Sequence, residues 1–129
     1  MSQVKTRILH VEDDPSLQHL VRITLAQLAG YVVDTAGDGF RAIELATEQT
    51  PDLILLDLDL PGVNGIETLK ALREVEALRR VPVIFLTAAG DLLTQIQLLE
   101  LGALTVLQKP VRPRQLVQTI TRALGRQEP

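Results

Sequence analysis

The segment Leu53-Ile54-Leu55-Leu56-Asp57 constrains this chain more than any other. Four consecutive apolar residues do not alternate, so both faces of such a strand must be covered. Strands of that kind belong to parallel sheets flanked by helices on each side. The rest of the chain agrees. Residues 7–11, 31–35, 83–87 and 105–108 read as four further strands. Between them, apolar residues recur at helical spacing. Leu17, Leu20, Val21, Leu25 and Leu28 form one stripe, opened by Asp14 and Pro15 and closed by Gly30. Phe40, Ile43 and Ala46 mark a second helix, and Ile66, Leu69, Leu72 and Val75 a third, after the turn at 61–65. Asp91 caps a fourth helix, which carries Leu92, Ile96 and Leu99. Leu92, Leu93, Leu98 and Leu101 make that helix apolar beyond one face, which reads mostly as core, with an exposed partner patch as the alternative. Pro113 opens a fifth helix with Leu116, Ile120 and Ala123 inward.

A βα unit repeated five times predicts a doubly wound α/β domain with helices on both faces of a parallel sheet. The length of 129 residues suits one such domain, with its core at about 7–124 and its last helix ending near Gly125. No second or output domain is expected within these residues. Cysteine is absent, which removes disulfides and thiolate metal sites and fits a reducing cytosol. Neither a membrane span nor the apolar core of a signal peptide is legible. Charge is uneven. Residues 1–100 hold 8 Lys/Arg against 15 Asp/Glu, whereas residues 101–127 hold 5 Lys/Arg and no acid. A basic segment on an acidic body reads first as a solvated helix face and second as a surface for an acidic partner. No aromatic residue interleaves with these charges, so nucleic acid is not expected.

In a parallel sheet all strands end on one edge, and ligands bind there where the strand order reverses. Strand one runs into Glu12-Asp13-Asp14, strand three ends in Asp57, strand four in Thr87, and strand five leads to Lys109. With the order 2-1-3-4-5, the strands carrying these groups are consecutive neighbours about 4.8 Å apart. Three acids, a hydroxyl and an ammonium then share one pocket. Clustered carboxylates call for a cation, and Mg2+ takes carboxylates, keeps waters and accepts phosphate oxygens. A carboxylate can also act as a nucleophile toward phosphorus, and the transferred group needs cations and donors for its oxygens.

These residues carry a resemblance. The stretches 8–15 (Ile-Leu-His-Val-Glu-Asp-Asp-Pro), 55–65 (Leu-Leu-Asp-Leu-Asp-Leu-Pro-Gly-Val-Asn-Gly), 86–88 (Leu-Thr-Ala), 101–103 (Leu-Gly-Ala) and 108–110 (Gln-Lys-Pro) resemble the receiver domain of two-component response regulators, in order and at family spacing. The resemblance implies a flavodoxin-like (βα)5 fold of the single-domain, chemotaxis-regulator type. It implies that Asp57 is the phosphoacceptor and that Asp13 is a direct Mg2+ ligand. Glu12 would reach the metal through water, and Asp59 would offer it a main-chain carbonyl. Thr87 matches the switch hydroxyl and Lys109 the lysine that pairs with the phosphoryl group. The bond before Pro110 is expected to be cis. The implied partners are a histidine kinase or histidine phosphotransfer protein and a downstream protein target. The implied setting is the cytoplasm, as a monomer or weak dimer away from membranes, and such a domain catalyses only its own phosphorylation and dephosphorylation.

Competing structural roles are uneven in strength. Asp14 is better explained as an N-cap than as a ligand. Glu12 and Asp13 have no such role, and Asp57 would be costly if buried and unpaired. Thr87 suits any strand and Lys109 any surface; their shared edge with Asp57 favours function. Asp59 is either solvated or close enough to the phosphoryl group to alter its hydrolysis. His10 is expected to be buried and hydrogen-bonded, His19 exposed, and neither has the ligand spacing of a zinc site. The resembled family usually carries Tyr or Phe at the position of Val106. Val is short and stiff about χ1, so a muted shift on the face formed by the fourth helix, the fifth strand and the fifth helix is expected, or one that runs through the loop before the fourth helix. Two other functions compete. Asp57-Leu58-Asp59 also resembles the nucleophile motif of haloacid-dehalogenase-type phosphohydrolases, but it lies on the third strand and no cap domain accompanies it. A pseudo-receiver that binds partners without phosphorylation is the other.

Overall fold

The computed structural model describes residues 5–125. The tail at 126–129, with its Arg126, lies outside the described residues. Five parallel strands, β1 (Arg7–Val11), β2 (Val32–Ala36), β3 (Leu53–Asp57), β4 (Val83–Thr87) and β5 (Thr105–Gln108), form one sheet in the order β2-β1-β3-β4-β5. The helices between and after them are α1 (Pro15–Ala29), α2 (Gly39–Glu48), α3 (Gly65–Glu74), α4 (Leu92–Glu100) and α5 (Pro113–Ala123), with a short 3-10 turn at Glu76–Leu78. The predicted strand order is therefore borne out, and the reversal falls between β1 and β3.

Alternation along each strand divides the core into two layers. Leu9, Val11, Ile54, Leu56, Val83 and Phe85 face one side, packed with Ala42 and Ala46 of α2, Leu69 and Leu72 of α3, and Leu98 of α4. Ile8, Leu53, Leu55 and Ile84 face the other, with Val21 and Leu25 of α1 and Leu116, Val117 and Ile120 of α5. Every residue of β3 and β4 is buried. Each such leucine or isoleucine contributes about 1.5–3 kcal/mol relative to remaining exposed, so the central strands are rigid carriers for whatever stands at their ends.

Local chemistry starts the helices where capping residues occur. Asp14, Asp38, Asn64 and Asp91 each accept a main-chain N–H of the first turn of α1, α2, α3 and α4. Gly30 closes α1 with φ of 71°, a left-handed conformation that suits glycine.

Three packing expectations fail. Phe40 of α2 is 65% exposed, and the inward face of that helix is Ala42 and Ala46. In α1, Leu20 and Leu28 are exposed because only Val21, Thr24 and Leu25 meet the sheet fully. In α4, Leu92, Leu93, Ile96 and Leu99 are all exposed, together with Leu101 just beyond it, and Leu98 alone is buried. The core reading of α4 is thus replaced by its alternative, an apolar surface patch. The sheet ends at β5, so α4 has sheet to cover on one narrow stripe only.

Candidate functional site

The carboxyl ends of β1, β3, β4 and β5 converge. Val11 pairs with Leu56, Asp57 with Leu86, and Thr87 with Gln108, which levels the four strand ends. Glu12, Asp57 and Thr87 are each at most 2% exposed. Lys109 reaches in from the first residue after β5, with its nitrogen 3.1 Å from Glu12 Oε1 and 3.3 Å from Asp57 Oδ1. The expected juxtaposition of Glu12, Asp13, Asp57 and Lys109 is present. One carboxylate oxygen from each of Glu12, Asp13 and Asp57 lies within 4.8 Å of the others.

Burial and the neighbouring Asp57 charge push the Glu12 carboxyl above its ordinary value, opposed by the Lys109 hydrogen bond and the Asp14 N–H. Burial pulls the Lys109 ammonium down, but the Glu12 hydrogen bond and the Asp57 charge outweigh it and hold the group above its ordinary value. Lys109 is thus a fixed positive charge. It faces two buried acids, with a third, Asp13, exposed at the rim. This excess of negative oxygen donors fits a hard divalent cation: all the ligand atoms are carboxylate oxygens, and the rim position of Asp13 leaves room for water. A cleft of about 590 Å³ opens beside it, lined by Asp13, Asp59, Asn64 and the side chains of Leu58, Leu60, Pro61 and Ile66.

The remaining predicted residues are placed more loosely. Asp59 is exposed; its N–H donates to Asp57 Oδ1 at 3.1 Å, and its carboxylate stands outside the acidic trio. The Thr87 hydroxyl accepts the Ala89 N–H at 3.0 Å and so is engaged with its own loop. The Lys109–Pro110 peptide bond is cis. His19 is exposed. His10 is fully buried as expected, and neither ring nitrogen meets a protein hydrogen-bond partner among the described residues. It points into the α1–α5 layer, where Ile8 of the same strand face meets aliphatic side chains. Burial, then the Lys109 and Arg22 charges, lower its pKa from 6.5 to about 3.

Two supports escaped the sequence. Gln18 of α1 donates to the Glu12 carbonyl at 2.5 Å and fixes the strand end that carries the acids; no local pattern marks it. Gly65 begins α3 directly against β3, where a β-carbon would lie 2.5 Å from the Asp57 carbonyl oxygen and 2.8 Å from Leu58 Cα. The glycine in the turn at 61–65 was the available signal, though its reason is this close approach.

A doubly wound sheet that buries an aspartate beside its reversal point and turns a lysine from its last strand onto it is the architecture of a receiver, the phosphoryl-accepting class of two-component signalling. The family model of the response regulator receiver domain matches residues 8–121, and the chain belongs to that family. It is 42% identical over 130 residues to the DNA-binding response regulator MtrA of Mycolicibacterium smegmatis, covering 99% of this chain and 54% of that protein. It is 40% identical over 120 residues to the DNA-binding dual master transcriptional regulator RpaA of Synechocystis, covering 93% and 49%. The chain therefore spans about half the length of the curated relatives it matches. Among solved structures, Vibrio cholerae chemotaxis protein CheY4 superposes with a TM-score of 0.87 at 32% identity, covering 92% of this chain and 98% of that one. The receiver domain of the Pseudomonas aeruginosa sensor histidine kinase PA1611, solved with magnesium coordinated in its active-site cleft, gives 0.85 at 34%, covering 95% and 99%. Among the described residues, no helix is long and apolar enough to cross a membrane.

Proposed function

We propose that Asp57 accepts a phosphoryl group from the phosphohistidine of a histidine kinase or phosphotransfer protein. One observation carries this reading: a buried aspartate ends a fully apolar strand and faces a lysine nitrogen at 3.3 Å beside two further acids. An Asp57 carboxylate oxygen attacks phosphorus in line; the new O–P bond forms as the N–P bond breaks, and the electron pair returns to the histidine ring. Asp13, Asp57, the Asp59 main-chain carbonyl and, through water, Glu12 would hold Mg2+, which would supply positive charge to the phosphoryl oxygens. Lys109 leaves Asp57 to pair with the phosphoryl group, and the Thr87 hydroxyl turns from Ala89 to donate to it. Water later cleaves the acyl phosphate, so the domain acts on itself and turns over no separate substrate.

Residues 1–129 act as one receiver unit in the cytoplasm, monomeric or weakly dimeric, and signal by protein contact or onward phosphoryl transfer. DNA binding belongs to the named whole relatives. For this segment we favour protein partners, since its basic α5 side chains have no interleaved aromatics. The test is intact mass after incubation with acetyl phosphate, with and without Mg2+, for wild type and Asp57→Ala. A Mg2+-dependent gain of one phosphoryl group in wild type alone is expected. No gain under conditions that modify another receiver would leave a pseudo-receiver, and turnover of a generic phosphate ester would restore the phosphohydrolase.

A further inference from the structure

The loop between β4 and α4 is held by the end of β5. Thr87 and Gln108 are partners across the sheet. The Thr87 carbonyl accepts the Lys109 N–H at 2.8 Å, and the Thr87 hydroxyl accepts the Ala89 N–H at 3.0 Å. One residue further, the Gln108 side chain lies over the α-carbon of Gly90. A β-carbon there would fall 3.0 Å from Gln108 Cδ and 3.1 Å from Oε1, with Nε2 closer still. Gly90 is not among the glycines with positive φ, so the room it leaves for Gln108 is what the glycine provides. Asp91 follows at once, and its side chain accepts the Thr94 N–H to start α4.

We propose that Gln108 is a positioning residue that carries a movement of Thr87 into the start of α4. This rests on the reading of Asp57 as phosphoacceptor. Val106 lies two residues before Gln108, on the same face of β5, half-buried against the α2–α3–α4 core. It has neither a ring to swing nor a polar end to exchange. Gln108 has a carboxamide, with both an acceptor and two donors, already lodged against the loop. When the Thr87 oxygen turns toward a phosphoryl group, the Ala89 N–H loses its acceptor. The Gln108 carboxamide takes over as the polar partner of the loop, and residues 88–91 shift with it. The response enters α4 through Gly90 and Asp91 and leaves the Val106 position still.

The experiment uses the whole chain, labelled for amide spectroscopy, with beryllium fluoride and Mg2+ as a phosphoryl mimic. Wild type is expected to show shift changes concentrated at residues 88–96. Gln108→Ala is expected to reduce them by about half or more, while its phosphoryl gain from acetyl phosphate stays within about twofold. Gly90→Ala, which displaces the side chain, should do the same, and the double variant should add nothing further. Gln108→Met fills the space without the polar end and should behave like Gln108→Ala. A wild-type response in either Gln108 variant overturns the proposal while phosphorylation of Asp57 stands. A wild type that takes no phosphoryl group removes the receiver reading and this proposal together.

Discussion

Replacing Lys109 with Met removes the cation that holds two buried acids and keeps most of the side chain's bulk. Lys109 Nζ lies 3.1 Å from Glu12 and 3.3 Å from Asp57, and both acids are at most 3% exposed at the side chain. At an effective dielectric of about 20, each contact is a gross attraction of about 5 kcal/mol. Desolvation offsets much of it, and removing one partner of a buried pair costs about 3–5 kcal/mol. The lysine side chain is 25% exposed, which places the expected loss near the lower end, about 3 kcal/mol at pH 7. For a chain of 129 residues the unfolding entropy is about 0.27 kcal/mol/K, so the melting temperature should fall by about 11 °C. The sign with pH follows from Glu12. Its folded pKa is raised, so its share of stability is full below the ordinary value of 4.5 and is lost as pH rises through the folded value. Lys109 opposes that rise; without it the penalty extends to higher pH. The deficit of the variant should therefore shrink as pH falls from 7 toward 4.5. Relief of the Lys109 field on His10 acts in the same direction. Mg2+ at about 10 mM should restore more stability to the variant than to wild type, because it replaces the missing charge. Urea unfolding at pH 5 and pH 7, with and without Mg2+, measures all of this. A loss below about 1 kcal/mol, or one indifferent to both pH and Mg2+, would refute the reasoning.

Three other outcomes are expected. Asp59→Asn should slow hydrolysis of the Asp57 acyl phosphate by roughly threefold or more, as measured by decay of the phosphorylated mass; an unchanged rate would return Asp59 to a solvated loop residue. Gly65→Ala forces a β-carbon onto the Asp57 carbonyl and Leu58; it should cost about 1–3 kcal/mol in urea unfolding and depress phosphorylation as well. His10→Leu tests the buried imidazole. The folded pKa of about 3 means that its stability is present above 6.5 and is lost as pH falls toward 3. The variant should have a flatter stability profile below pH 6.5, and an equally steep acid limb would contradict the assignment.

The parts of this protein written in local sequence are those set by period and by single-residue chemistry. The apolar run at 53–56, too short for a helix and bounded by Pro51 and Asp57, reads as a strand covered twice, and β3 is that strand. Asp14, Asp91 and Gly30 mark helix ends because a cap needs only its own first or last turn. The alternation of strand and helix puts all strand ends on one edge, and the order 2-1-3-4-5, which the family resemblance implied, made Glu12, Asp13, Asp57 and Lys109 legible as neighbours. Tertiary structure decided what those patterns meet. Helical spacing tells which residues share a face but not how wide a partner lies opposite, so Phe40, Leu20 and Leu28, and nearly all of α4 face solvent despite their pattern. Burial likewise says nothing of partners: His10 is enclosed without a protein group at either ring nitrogen, while Tyr31 and Thr121 share a buried hydrogen bond across 90 positions of sequence. The pairing of Lys109 with Glu12, 97 residues away, and the seating of Gln108 on Gly90 belong to the same class. A sequence states the reach and charge of each side chain; distances between strand ends, and the water excluded from them, exist only once the sheet has closed.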